Sequence, residues 1–132
     1  MSREIEFRGK RLDNGEWLYG DLMHDNHGGC YVYPLDSLGL FTENKVANDT
    51  IGQFTGLVDK KGVKIFEGDV VLWDRDQKMY VVVFRNGMFY ASVEECNPHI
   101  YGGFPLWCLC AEEQYCTIVG NIYDNPELLS TK

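Results

Sequence analysis

The sequence lacks any long apolar run, which excludes the simplest ways of entering a membrane. No apolar segment of this 132-residue chain approaches the roughly 18 residues that a membrane helix requires. The first ten residues, MSREIEFRGK, are charged where a secretory leader would be apolar. We therefore expect a cytoplasmic protein that does not associate with a membrane.

The sequence also lacks an even number of cysteines, which a disulfide framework would use. An odd number of cysteines without a secretory context predicts reduced thiols instead of a disulfide framework. Two groups of residues could supply zinc ligands: Cys108, Cys110 and Cys116 near the end of the chain, and His24, His27 and Cys30 near its beginning. The two groups are remote in sequence, and no C-x-x-C pair is present. We expect no metal and no other cofactor, and leave open whether any cysteine is functional. The cysteines are Cys30, Cys96, Cys108, Cys110 and Cys116, and the histidines near the first of them are His24 and His27.

Basic residues are scarce, 12 against 20 acidic ones, and the net charge is -8. An acidic surface repels phosphate backbones, which disfavours general nucleic-acid binding. Residues 59–93 are the exception, with six basic and five acidic residues. A nucleic-acid-binding surface in this segment is therefore our alternative hypothesis. Its basic residues are Lys60, Lys61, Lys64, Arg75, Lys78 and Arg85.

Catalytic motifs are absent as well. The glycines of residues 50–71 do not fit the phosphate-binding pattern G-x-x-x-x-G-K-[ST], and they precede a β-branched run instead of a helix. No signature for nucleophilic catalysis surrounds the three histidines, the third of which is His99. Adjacent carboxylates point to opposite faces of a strand, so we interpret Glu94–Glu95 and Glu112–Glu113 as solvated charge. We expect a protein that is not an enzyme.

What the sequence does contain is a set of short β-strands and turns. Asn14-Gly15 fits a two-residue hairpin turn. Pairing outward from that turn places Leu12 opposite Trp17, Arg8 opposite Asp21, and Phe7 opposite Leu22.

A second hairpin is centred on Asn86-Gly87. Its predicted register places Phe84 opposite Phe89, Val82 opposite Ala91, and Tyr80 opposite Val93. All six side chains are apolar or aromatic and share one face, so a slip of one residue would destroy the segregation. We expect this face to be hidden from water.

Further strands are predicted in GCYVYP, VDKKGVKIF, DVVLW and YCTIVGNIY, while PHIYGGFP is interpreted as a loop and DNPELL as a short helical turn. Gly68-Asp69 suits a tight entry into the strand that follows, because glycine tolerates positive φ and aspartate accepts turn hydrogen bonds. Six or seven short strands indicate a small barrel or sandwich. The chain predicts one domain, 1–132, and any internal boundary should lie within residues 36–62.

Three blocks, FRGKRLDNGEWLYGDL, TIGQFTGLVDKKGVKIFEGDVV and VGNIYDNPELL, together resemble the YopX family of phage and prophage proteins. The resemblance implies a mostly β fold: a small SH3-like barrel (50–132) with an additional N-terminal β-hairpin subdomain (1–49). It implies a phage or prophage origin and supplies no catalytic residue. The residues that match the family's core motif, which we interpret as mainly structural, are Gly52, Thr55, Gly56, Asp59, Gly62, Glu67, Gly68 and Asp69.

Aromatic residues make up 14% of the chain and include Trp17, Trp73 and Trp107. Most should form the core, and the rest suit a protein interface, where aromatic side chains are enriched. Our leading hypothesis is an accessory protein of a phage or prophage that acts by protein–protein association. We expect self-association into a homo-oligomer, or binding of a protein partner of unspecified identity, in the cytoplasm of the bacterial host.

Overall fold

The computed structural model describes residues 3–34, 44–97, 99, 101–111 and 115–129. The chain divides into two compact units, Met1–Phe54 and Thr55–Lys132, so that the division lies five residues beyond the one implied by the family resemblance. Within the described ranges the chain forms eleven β-strands, three short 3-10 helices and no α-helix. The predominance of β-structure confirms the predicted class. No helix in these ranges is long and apolar enough to cross a membrane.

The first unit contains four strands and the beginning of a fifth. These are β1 (Phe7–Lys10), β2 (Trp17–His24), β3 (Cys30–Tyr33), β4 (Lys45–Val46) and β5 (Gly52–Val58), which continues into the second unit. A 3-10 helix, Asn48–Thr50, precedes β5. The spatial order is β4-β3-β2-β1, with the beginning of β5 beside β1, and all neighbouring pairs are antiparallel.

The small core of the first unit is formed by Cys30, Val32 and Val46. Arg11 forms an antiparallel bridge with Val46, which brings β4 against the end of β1. This approach requires glycine at position 9, since a Cβ atom there would lie 2.9 Å from Val46 Cγ2. A residue without a side chain thus sets the spacing between β1 and β4.

The register predicted for the first hairpin is wrong by two residues. Phe7 pairs with Gly20 and Lys10 with Trp17, because the turn is longer than the two residues expected. The Arg11 N–H donates to Glu16 O at 2.9 Å and closes a four-residue loop. In the predicted register two carboxylates would have faced each other across the turn, and the longer loop avoids this.

Two side chains show the consequence of the altered register. Asp13 forms an ion pair with Arg11 at 2.6 Å instead of facing Glu16. Arg8 lies opposite Tyr19, not Asp21, and its guanidinium carbon lies 4.5 Å from the centre of the Trp17 ring. The shift is an even number of residues, so each side chain stays on its predicted face of the sheet.

The second unit contains the end of β5 and six further strands. These are β6 (Lys64–Phe66), β7 (Asp69–Trp73), β8 (Met79–Arg85), β9 (Met88–Ser92), β10 (Gly103–Pro105) and β11 (Cys116–Asn121). β6 lies beside β5, and the other five strands form an antiparallel sheet in the order β10-β9-β8-β7-β11. Among the described strands neither sheet is closed, so the structure confirms β architecture but not the SH3-like barrel.

The core of the second unit lies on one face of the five-stranded sheet and beneath the 3-10 helix Leu106–Cys110. Side chains alternate across the pleat, so every second residue of β7, β8 and β9 points into this core. Its buried members are Ile65, Val71, Trp73, Tyr80, Val82, Ala91, Val93, Leu106, Leu109 and Cys116.

The second hairpin has the predicted register, including the pairs Phe84–Phe89 and Val82–Ala91. Its turn residues Asn86 and Gly87 have φ angles of 55° and 80°, as this two-residue turn requires. The expectation that all six facing side chains are hidden is wrong for Phe84, which is 56% exposed. The reason is that β7 pairs with β8 only along Met79–Val81, so the turn end of the hairpin projects beyond its neighbour.

The predicted strand entry is present. Gly68 has a φ of 95°, and Asp69 accepts a hydrogen bond from the Phe66 N–H at 2.8 Å.

At the chain's end Pro126–Leu128 forms a 3-10 turn, as DNPELL indicated. PHIYGGFP is not a loop throughout, because β10 pairs with β9 as an edge strand. Residues 98 and 100 of that segment lie outside the described part of the chain.

Candidate functional site

The edge strand β10 and its flanking residues carry three exposed aromatic side chains in the second unit. Tyr101 is 79% exposed and Trp107 is 63% exposed, and Phe104 on β10 is also exposed. We call these three residues the aromatic edge. Glycine at position 103 lets β10 approach β9 closely, since a Cβ atom there would lie 1.9 Å from Ala91 O. The local sequence thus places large rings at the margin of the sheet.

A cavity of about 250 Å³ adjoins the aromatic edge. It lies between the β7–β8 turn, strand β8 and the beginning of β10. Aromatic, apolar and charged groups all contribute to its wall, a combination typical of sites that bind a side chain or small molecule. The lining residues are Asp76, Lys78, Tyr80, Val93, Tyr101, Gly103 and Phe104.

The aromatic rings around this cavity pack edge to face. The ring centres of Trp73 and Phe104 are 5.2 Å apart, and those of Tyr80 and Phe104 are 6.2 Å apart. Edge-to-face packing of this kind stabilises a fixed ring orientation. Because Trp73 and Tyr80 belong to the buried core, Phe104 is held in place while one side of it remains accessible.

A hydrogen-bonded pair fixes the polar side of the cavity. The Tyr80 hydroxyl donates to the Asp76 carboxylate, which also accepts the Lys78 N–H at 2.9 Å. Burial, and after it the hydrogen bond to Asp76, raises the pKa of Tyr80 well above its usual value. Tyr80 therefore remains a neutral donor at physiological pH, and Asp76 is oriented from two sides.

The predicted family-motif residues lie in β5, in the β5–β6 turn, in the β6–β7 turn and at the start of β7, and none of them lines this cavity. Asp59 connects the β5–β6 turn to β11. Its buried carboxylate accepts the N–H groups of Lys61 and Val63 at 2.9 Å and that of Ile118 at 3.0 Å. The Lys60 N–H donates to Cys116 O at 2.8 Å beside it. Together these bonds cover the outer edge of β11.

Other motif residues shape the same region of the backbone. Thr55 donates from Oγ1 to Ile65 O at 2.8 Å and so joins β5 to β6. Gly56, Gly62 and Gly68 all have positive φ angles. The interpretation of the motif as mainly structural stays a prediction.

The histidines and cysteines proposed as alternative zinc ligands belong to different units. His24 pairs with Cys30 across β2 and β3 in the first unit, and the remaining cysteines lie in the second. Among the described residues no group of three or more histidine, cysteine, aspartate or glutamate side chains is arranged to hold a metal ion.

Two thiols of the second unit contact each other. A hydrogen bond from Cys116 lowers the pKa of Cys110, and the same bond raises the pKa of Cys116. Burial raises the pKa of Cys96 to about 11. The three thiols should therefore differ in reactivity, since the thiolate is the reactive form.

Carboxylates are interspersed among the basic residues of segment 59–93. Lys60 Nζ lies 3.0 Å from Asp74 Oδ2, and Arg85 Nη2 lies 4.0 Å from Glu95 Oε1. Arg75 packs over Trp73, with its guanidinium carbon 5.7 Å from the ring centre. The segment is therefore a surface of mixed charge.

The prediction that the adjacent carboxylates Glu94 and Glu95 are solvated charge is wrong, because both accept hydrogen bonds from the protein. Glu94 accepts the Gly102 N–H at 2.8 Å, and Glu95 accepts the Ser92 hydroxyl at 2.7 Å. Both are partly buried beside the beginning of β10. The second pair, Glu112–Glu113, lies outside the described residues.

Sequence reasoning missed the cavity because its lining comes from three separate segments: residues 76–80, Val93 and residues 101–104. The β8–β9–β10 register brings residues 76–80 beside residues 101–104. The predicted pairs Val82–Ala91 and Phe84–Phe89 are correct in that register, and Tyr80 and Val93 are both buried in the core. Recognising β10 in PHIYGGFP would have completed the site.

Comparison with known proteins places the chain in a family. The model of the YopX protein family matches residues 6–130, and the chain belongs to that family. The fold is similar to the crystal structure of protein EF1440 from Enterococcus faecalis, with a TM-score of 0.64 and 24% sequence identity. That alignment covers 98% of this chain and 100% of the other. No curated protein matches the chain.

Proposed function

We propose that this YopX-family protein is a non-enzymatic phage or prophage accessory protein that acts by protein–protein association through the aromatic edge. The observation that carries the proposal is the exposure of Tyr101 and Trp107 beside a sheet margin. Exposed aromatic side chains next to a packed pocket are typical of the residues that dominate binding energy at protein interfaces. An SH3-like character of residues 50–132 and a place in the host cytoplasm belong to the same proposal.

The partner that we propose is a second copy of the chain. β10 is the last strand in its sheet order, and the backbone groups on the outer side of an edge strand can pair with another strand. Antiparallel pairing of two copies of one strand is compatible with two-fold symmetry, the commonest symmetry of homo-oligomers. Physiological salt limits electrostatic interactions between exposed charges to about 8 Å, so the net charge of -8 does not prevent association.

Sedimentation equilibrium at concentrations up to the high micromolar range tests this proposal. The unaltered chain should form a dimer or a larger homo-oligomer, and Trp107→Ala should weaken association about tenfold or more, as expected for a central aromatic contact. Tyr19→Ala is the matched control, because Tyr19 is an exposed aromatic residue of the first unit. A monomer at all concentrations, with no host protein retained on the immobilised chain, would contradict the proposal.

Nucleic-acid binding remains the second candidate. The local excess of basic residues in segment 59–93 supports it, while the carboxylates paired with Lys60 and Arg85 weigh against it. Phosphate contacts would make the affinity fall steeply as salt increases. The absence of any electrophoretic shift of single- or double-stranded DNA or RNA at low salt would exclude this function.

A further inference from the structure

We infer that the cavity beside the aromatic edge is a side-chain subsite that receives the cationic end of a lysine or arginine from the bound protein. This inference rests on the proposed association and identifies the chemistry of its central contact. Three features of the cavity support it: the aromatic wall, the oriented carboxylate and the charge around the entrance.

The aromatic wall suits a cation. Tyr80, Tyr101 and Phe104 all line the cavity, and the faces of aromatic rings attract ammonium and guanidinium groups within about 6 Å. The contacts of Phe104 with Trp73 and Tyr80 fix its ring before any ligand arrives. Tyr101 is largely exposed, so it can cover a side chain that enters.

The carboxylate of Asp76 provides the polar partner. It accepts hydrogen bonds from the Tyr80 hydroxyl and the Lys78 N–H, and a carboxylate offers about four acceptor positions. Positions therefore remain for the N–H groups of a ligand. Because the protein already holds Asp76 in place, the ligand need not order it.

The charge around the entrance also favours a cation. Glu94 accepts the N–H of Gly102, which lies between the lining residues Tyr101 and Gly103. Lys78 also lines the cavity and opposes this preference, but its side chain is exposed to solvent, whereas Asp76 and Glu94 are partly buried. An anionic ligand would meet the carboxylate of Asp76, and an apolar one would displace water from Asp76 without replacing its hydrogen bonds.

Two neutral-capped amino acids can test the subsite with the full chain. N-acetyl-arginine amide and N-acetyl-norleucine amide differ in charge but both carry an apolar stem. Titration followed by amide chemical shifts should give saturable changes at residues 101–104 with the arginine compound. The norleucine compound should bind at least about fivefold more weakly, the ratio expected when a solvent-exposed cation–π contact is lost.

Variants separate the subsite from the rest of the surface. Asp76→Asn and Tyr101→Ala should each weaken binding of the arginine compound at least about fivefold, on the same grounds. Met88→Ala, an exposed position near the Asn86-Gly87 turn, should leave it unchanged. If Asp76→Asn unfolds the unit, the Tyr101→Ala variant still tests the subsite. Because Tyr101 is mostly exposed, its replacement should leave the unit folded.

The outcomes distinguish the two proposals. Equal binding of both compounds, or no saturable shift with either, overturns the subsite. If the chain then still associates in a manner that depends on Trp107, the proposed function stands without it. If arginine binds but the chain neither self-associates nor retains a host protein, the subsite stands as a site of ligand recognition and the association proposal fails.

Discussion

Replacing Asp59 by alanine removes three hydrogen bonds from a buried carboxylate and should destabilise the second unit. Hydrogen bonds to charged groups contribute about 1.5–3 kcal/mol each when buried. The hydrogen bond to the N–H of Ile118 in β11 should contribute the full amount, because water cannot replace it. Water can replace the hydrogen bonds to the turn N–H groups of Lys61 and Val63. We expect Asp59→Ala to lower the free energy of unfolding of this unit by about 3 kcal/mol.

Native-state hydrogen exchange measures this loss in the second unit alone. Amides of β8 should lose protection about 150-fold, the equivalent of 3 kcal/mol. Asp49→Ala is the control, because Asp49 is exposed in the first unit and its removal should change stability by less than about 0.5 kcal/mol. A loss below about 1 kcal/mol for Asp59→Ala would refute the assignment of Asp59 as the residue that secures the β11 edge.

Two further predictions follow from close contacts. Gly9→Ala should destabilise the first unit by about 1–3 kcal/mol through overpacking against Val46. The Gly9→Ala/Val46→Ala double variant should be destabilised by less than the sum of the two single variants, because the smaller side chain at position 46 relieves the overpacking. Simple additivity in urea unfolding would count against the contact. At pH 7.5 iodoacetamide should modify Cys110 before Cys96, because the pKa of Cys110 is lowered and that of Cys96 is raised to about 11. Peptide mass spectrometry over time would reveal the order, and earlier labelling of Cys96 would contradict it.

Local patterns in the sequence predicted much of the β-structure. The alternation around Asn86-Gly87 excluded odd register slips, which would move Val82 and Ala91 to the opposite face, and the two-residue turn excluded even ones. The first hairpin was less determined, since a shift of two residues leaves its faces unchanged. Its register depended on side-chain contacts of the loop, such as the Arg11–Asp13 ion pair, which the turn motif alone does not specify.

By itself the sequence determined most of the strands, the Asn86-Gly87 turn and membership of the YopX family. These follow from local conformational preference and from motifs read in order along the chain. Only the tertiary structure decided which side chains meet across long separations: Asp59 with Ile118, 59 positions apart, and Asp76 with the aromatic edge. It also decided that Phe84 is exposed, because burial depends on how far the neighbouring strand extends and not on the residue's own chemistry.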